Sequence, residues 1–165
     1  DALARQQVAE RPVITGAPKT AEPGEAFTIT VDDAASISKL TFIKTGATRG
    51  DLVAVNLGTL RYPDLVAEIA DLMLAYDRAS WCLCVGEHEG GVFLSVRSDV
   101  EDAHAGELIR RVVGSKGAAG GHGFSAGGRL HQRVAGEAEL KGVYDELVGR
   151  MVAELRISDP PSPLL

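Results

Sequence analysis

Aromatic residues are scarce in this chain, at 5% of 165 positions. A long stacking platform for single-stranded RNA is therefore poorly supplied. Basic charge is in deficit too. Seventeen Lys and Arg stand against 23 Asp and Glu, for a formal net charge of −6. That excludes a broad cationic coat for duplex DNA, but not a small basic pocket for one phosphate. No apolar run approaches the ~20 residues of a membrane span. The first residues, "DALARQQVAE", lack the zones of a signal peptide. No membrane partner is expected, and a cytoplasmic location is. Cysteine is limited to Cys82 and Cys84 in "WCLCVGE". On a strand, residues i and i+2 share a face and do not easily reach disulfide geometry, so both read as buried free thiols. No CxxC occurs, and His88, His104, His122 and His131 are scattered, so no metal site is expected within the chain.

Ordinary catalytic signatures are missing as well. There is no GK[ST] of a P-loop. "HGFSAGG" is a poor nucleophile elbow, because no strand is expected to lead into Ser125. Asp32-Asp33 reads as a turn, and Glu101-Asp102 as a charge pair at a helix N-terminus, where the macrodipole favours it. No catalytic residue is assigned.

What remains is a chain of one-domain size with 45% hydrophobic residues and 19 glycines. It begins at Asp1 rather than Met and reads as a fragment or a processed product. Residues 1–10 suit the end of a helix. Pro12, Pro18 and Pro23 with Gly16 and Gly24 make the next stretch a connector, with a short edge strand at "AFTITV", 26–31. From Lys39 the pattern sharpens. "KLTFIKTG" and "DLVAVNLG" are β-branched, apolar runs. "YPDLVAEIADLMLAYDR" has Pro63 at a first-turn position and Leu65, Ile69, Leu72, Met73 and Tyr76 at helical spacing. "SWCLCVGE" and "GVFLSVRS" flank "HEGG" as an antiparallel hairpin.

"VEDAHAGELIRRVVG" predicts a second helix that buries Ala105, Leu108, Ile109, Val112 and Val113 and stops at Gly114. A glycine-rich loop follows, then a strand at "GRLHQRVA". The last helix, "EAELKGVYDELVGRMVAELR", has a stripe of Leu140, Val143, Tyr144, Leu147, Met151 and Leu155. "SDPPSPLL" is a frayed tail. The expectation is an α/β fold with a mixed sheet of about five strands and flanking helices. Residues 1–38 form the connector, 39–156 the domain, and 157–165 the tail.

The most unusual stretch is "GAAGGHGFSAGG", 117–128, with six glycines. Glycine admits positive φ and close approach of a ligand to the backbone. Successive N–H groups then form a nest for an anion, and His122 adds a side-chain donor. A flexible linker is the competing reading, although Ala118, Ala119, Phe124 and Ala126 suggest packing instead. Upstream, "LSVRSD" places Ser95 and Arg97 on one strand face and Val96 and Ser98 on the other. A guanidinium there suits phosphate oxygens, while a lone strand arginine also serves as a solvated surface residue.

Taken in order, "FLSVRSD", the helix "AGELIRRVVG", "GGHGFSAGG" and a final helix resemble the C-terminal, DHH-associated domain of the DHH phosphoesterase superfamily. That group includes oligoribonucleases, adenosine bisphosphate phosphatases, cyclic-dinucleotide phosphodiesterases and RecJ-type exonucleases. The resemblance covers about residues 39–156. It implies that Arg97 and His122 bind a substrate phosphate, that Gly120, Gly121 and Gly123 give backbone contacts, and that Ser95 and Ser98 support them. The implied substrate is a nucleotide or short RNA. The implied cofactor, manganese, belongs to an N-terminal catalytic domain carrying an Asp-His-His signature, which this sequence does not contain. Ala118-Ala119 stand where the family often has further glycines. On this reading the chain alone hydrolyses nothing, its partner is the catalytic domain of the same protein, and a homodimer is compatible.

Two other functions fit less closely. One is an RNA-binding or oligomerisation appendage, since related domains end alanyl-tRNA synthetases. The other is a non-catalytic α/β interaction domain whose glycine stretch only turns the chain.

Overall fold

The computed structural model describes residues 13–15, 27–32, 40–42, 47–49, 52–74, 80–158 and 162–163. The chain divides into two compact units, Asp1–Lys44 with Leu165, and Thr45–Leu164. In the first, β1 (Val13–Thr15), β2 (Phe27–Asp32) and β3 (Leu40–Phe42) form an antiparallel sheet in that order. The strand expected over "KLTFIKTG" is β3, paired with β2, and the strand expected at 26–31 is the central one of the three, not an edge strand. The helix expected over residues 1–10 lies outside the described residues.

The second unit runs β4 (Ala47–Arg49), β5 (Leu52–Thr59), α1 (Leu65–Met73), β6 (Trp81–His88), β7 (Gly91–Ser98), α2 (Ala105–Val113), β8 (Gly117–His122), β9 (Ser125–Arg133), α3 (Glu137–Glu154) and β10 (Ser162–Pro163). One sheet takes the order β10-β4-β5-β6-β7-β9-β8. Among the described strands only β5 and β6 are parallel, and α1 lies between them in the chain, as parallel neighbours require a crossover. The architecture is α/β with a mixed sheet. Its body is five strands of six to nine residues, with two short strands, β4 and β10, beyond β5.

Alternation along the strands divides the interior into two halves. Leu83, Val85, Val92, Leu94, Val96, Ala126 and Leu130 face α2 and α3 in the larger core. α1 covers the other face and buries Leu65, Val66, Ile69 and Ala70. β6 is apolar on both faces because both are covered, and residues 82–86 are all buried. α2 buries the five residues its spacing predicts, and Gly106 with them. Gly114, at φ 58°, ends it. Glu101-Asp102 is not in its first turn. Asp102 has φ 58° in the turn before the helix, and Glu107 is the acidic first-turn residue. The β6–β7 turn is Glu89-Gly90, both at positive φ, the mirror-image turn that suits twisted hairpins.

The glycine stretch is not a loop. Residues 117–122 form β8, Gly123-Phe124 turn the chain, and β9 starts at Ser125. Glycine is a poor strand former, so propensity hides this hairpin, and packing explains it. A Cβ on Gly106 of α2 would lie 2.0 Å from the Gly121 carbonyl oxygen. One on Gly117 or Gly121 would lie 2.3 Å from the β9 backbone. The helix sits against bare backbone.

Two tests follow from this packing. Helix propensity alone favours Gly106→Ala by about 1 kcal/mol, but the overlap with β8 outweighs it, and a net loss of about 2 kcal/mol is expected. Gly142→Ala in α3 meets nothing within 4 Å and should gain up to about 1 kcal/mol. Urea melts of the two variants, moving in opposite directions, check this. Lys116, 2.5 Å from Glu146, and then Arg150 hold the Glu146 carboxyl below its ordinary value of 4.5. A depressed folded value contributes stability above 4.5 that is lost as pH falls through it. Both partners are about two-fifths exposed, so the contribution is small. Lys116→Met should cost a minor, salt-sensitive increment at neutral pH and nothing in strong acid, read from melts across that range.

Candidate functional site

The face of the sheet under α1 carries a register that lines up side chains in three rows across four strands. The first row is His122, Ser125, Arg97 and Cys82. The second is Gly120, Gly127, Ser95 and Cys84. The third is Ala118, Arg129, Phe93 and Gly86. Successive rows are two residues apart, or about 7 Å. Between this face and the start of α1 lies a cleft of about 430 Å³, with Pro63, Asp64, Val66 and Ala67 as its far wall.

Arg97 is not a solvated surface residue, since its side chain is 15% exposed. Its Nε donates to Asp71 Oδ1 at 2.5 Å, and Nη1 donates to Ser95 Oγ at 2.7 Å and to the Val96 carbonyl at 3.1 Å. Nη2 carries none of these bonds. Ser95 Oγ donates in turn to the Ala126 carbonyl at 3.4 Å. The guanidinium is thus fixed on two edges and drawn toward the second row, where the sheet is bare. Nothing stands within 4 Å of a Cβ placed on Gly120, and only the Leu94 carbonyl, at 3.6 Å, approaches one on Gly127. Packing therefore requires glycine on the α2 side of this hairpin and does not require it on the cleft side.

His122 is exposed on the same row as Arg97, and no hydrogen bond engages its ring among the described residues. α1 offers no free N–H at the cleft, because Leu65, Val66, Ala67 and Glu68 N–H groups all donate to preceding carbonyls. The basic side chains lining the cleft are those of Arg97 and His122. Cys82 and Cys84 are free and buried, their sulfurs 3.8 Å apart. Burial pushes the Cys84 thiol well above its ordinary value, Cys82 adds to this, and the Arg97 charge opposes it. Cys84 is a packed thiol, not a nucleophile.

Of the residues singled out in the sequence, Ser95, Arg97, Gly120, Gly121 and His122 line one cleft. Ser98 and Gly123 do not line it. Ser98 points to the opposite face, where its hydroxyl donates to the Ser80 carbonyl at 2.8 Å and accepts the Val100 N–H at 3.1 Å. Gly123 sits at the hairpin tip at φ 54°, and its carbonyl accepts the Ala105 N–H. Phe93, Gly127 and the α1 wall join the cleft without a binding role having been read for them, and so does Ser125, which the sequence offers only as a poor nucleophile. Strand parity continued through the glycines would have found Ser125 and Gly127. Among the described residues no group of three or more His, Cys, Asp or Glu is placed to hold a metal ion. No helix among them is long and apolar enough to cross a membrane.

No protein-family model and no curated protein matches the chain. Solved structures similar to it include the C-Ala domain of Aquifex aeolicus alanyl-tRNA synthetase, at 18% identity and a TM-score of 0.47, covering 62% of this chain and 97% of that one. A pGpG-specific phosphodiesterase, PggH from Vibrio cholerae, is similar at 12% identity and a TM-score of 0.41, covering 66% of this chain and 36% of that one. The chain thus spans about a third of the phosphodiesterase and nearly all of the C-Ala domain. These are partial likenesses of chain path, and they assign this chain no activity.

Proposed function

We propose that this chain is the substrate-holding domain of a DHH-type phosphoesterase, and that its cleft grips the phosphate of a nucleotide or very short RNA. The observation that carries the reading is the Arg97 guanidinium, anchored on Asp71, Ser95 and the Val96 carbonyl, beside a floor of Gly120 and Gly127 that the fold leaves open. The Nη2 donors of a fixed guanidinium suit a phosphate oxygen, and a floor without side chains lets an anion reach the backbone. His122 closes the row from β8. A cleft of about 430 Å³ is of small-ligand size, which favours a nucleotide over the flank of a tRNA helix. In this reading the metal ions that activate water belong to another domain, and this one supplies positioning, which is itself a large part of catalysis.

The test is titration with a 5′-phosphorylated dinucleotide at low salt, followed by backbone amide shifts. Shifts should concentrate at residues 117–128 and 95–97. Shifts confined to other surfaces, or equal competition by bulk tRNA and by dinucleotide, would sink the proposal. Arg97→Ala should weaken binding about ten- to a hundred-fold, the worth of one or two charge-assisted hydrogen bonds.

Gly127→Val offers a separate check. Its Cβ meets only an ordinary contact, and valine suits a strand. Melting should therefore hold or rise while binding is lost, because the added methyls fill the floor. Retained affinity in a folded Gly127→Val variant would show that the floor is not where the phosphate lies.

A further inference from the structure

The third row of the cleft face has a feature that phosphate binding does not use. Phe93 lines the cleft, and the Arg129 guanidinium carbon lies 5.2 Å from its ring centroid. Arg129 is exposed, and no carboxylate pairs with it among the described residues. Its charge rests on the ring alone. The neighbouring glycines make room for the pair. A Cβ on Gly91 would come within 3.2 Å of the Phe93 ring and 3.4 Å of Arg129 Nη2. Beside Phe93, Gly86 takes the Leu60 side chain, which a Cβ there would strike at 2.6 Å.

Resting on the phosphate reading above, we infer that Phe93 and Arg129 form a stacking subsite for a flat heteroaromatic ring. The cleft then takes a nucleotide with its base on this pair and its phosphate at Arg97 and His122. Three facts join the two ends. Register puts both on one face, with Phe93 and Arg97 at either side of Ser95 on β7 and Arg129 and Ser125 at either side of Gly127 on β9. Arg97 reaches back to Ser95 Oγ, so the gap left to bridge is close to one row, about 7 Å. That gap is floored by Gly120 and Gly127, which leave room for a sugar. A guanidinium held on an aromatic ring is a flat, cationic and preorganised surface, and every nucleobase has a π face to set against it. The chain has few aromatics, and Phe93 is the aromatic residue in the cleft lining among the described residues.

The experiment compares ribose 5-phosphate with a purine nucleoside 5′-monophosphate, by calorimetry at low salt and by side-chain resonances. For the wild type, both ligands should move Arg97 and His122, and only the nucleotide should move the Phe93 ring and Arg129. The nucleotide should bind about ten-fold tighter, the scale of one stacked base. Phe93→Leu keeps apolar volume and removes the π face, and Arg129→Gln removes the cation. Each should erase much of that ten-fold preference and leave ribose 5-phosphate unchanged. Equal affinity of the wild type for both ligands, or equal weakening of both by Phe93→Leu, would overturn the subsite while leaving the phosphate reading in place. Failure of both ligands to perturb Arg97 and His122 in the wild type would instead remove the phosphate reading, and the subsite with it.

Discussion

The register of β9 between β7 and β8 is the constraint on which the rest of this unit depends. It pairs Val96 with Ala126 and Arg97 with Ser125. Side chains alternate with a period of two, so a slip of one residue would turn every side chain of β9 to the other face. Arg129 would enter the apolar core and Leu130 would face the cleft. The same register fixes which glycines meet α2 and which floor the cleft. Burial enforces it. Ala126 and Leu130 are each 4% exposed, and a core that excludes a guanidinium cannot tolerate the slipped pairing. The geometry of the cleft is thus a by-product of packing on the face that the cleft does not share.

The glycines of the hairpin do two different jobs. Gly117 and Gly121 are held as glycine by steric overlap with the β9 backbone, and α2 closes on the same side, with Gly106 against Gly121 and Val113 beside Gly117. Gly120 and Gly127 have no such neighbour. Removing side chains from a strand costs propensity and packing. On the α2 side that cost is offset by close helix–sheet contact. On the cleft side nothing within the described residues offsets it, and an open floor beside an anchored cation is what the chain has instead. A spacer would not distinguish the two faces, and this hairpin does.

Much of this was legible in the sequence, for a physical reason. The continuous apolar runs of β5, β6 and β7 and the 3.6-residue stripes of α2 and α3 reflect burial against neighbours, so they announce themselves. The mixed sheet followed from their order, and Ser95 and Arg97 were assigned a shared face by alternation alone. The hairpin of β8 and β9 was not legible as strands, because its partner surface is backbone and leaves no hydrophobic period to read. Gly123 comes with the motif that carries the family resemblance, and only the strand structure shows that it lies at the hairpin tip, off the cleft lining. Ser98 was included because its motif neighbours were, although the same alternation that joins Ser95 to Arg97 sends Ser98 the other way. Phe93 falls one step back along the same alternation, and its role emerges only when Arg129 is brought across from β9.

An acidic chain that binds an anion has to do so locally. With a net charge of −6, long-range attraction does not gather phosphate to this surface, and Asp64 and Asp71 stand near the cleft. Arg97 compensates through placement. Its low exposure reduces screening, and its bonds to Ser95, Val96 and Asp71 remove the rotamer freedom that a long side chain otherwise loses on binding. Asp71 is 65% exposed, so it steadies the guanidinium from the solvent side without neutralising it as a buried carboxylate would. Selectivity then comes from shape. In the proposed arrangement a phosphate alone would reach one row of the cleft, whereas a ligand that also carries a flat ring would reach the row at which Phe93 and Arg129 meet. On the proposed reading, binding energy spread over both rows would reward short nucleotides over free phosphate, which a domain that positions substrate for chemistry elsewhere would have to exclude.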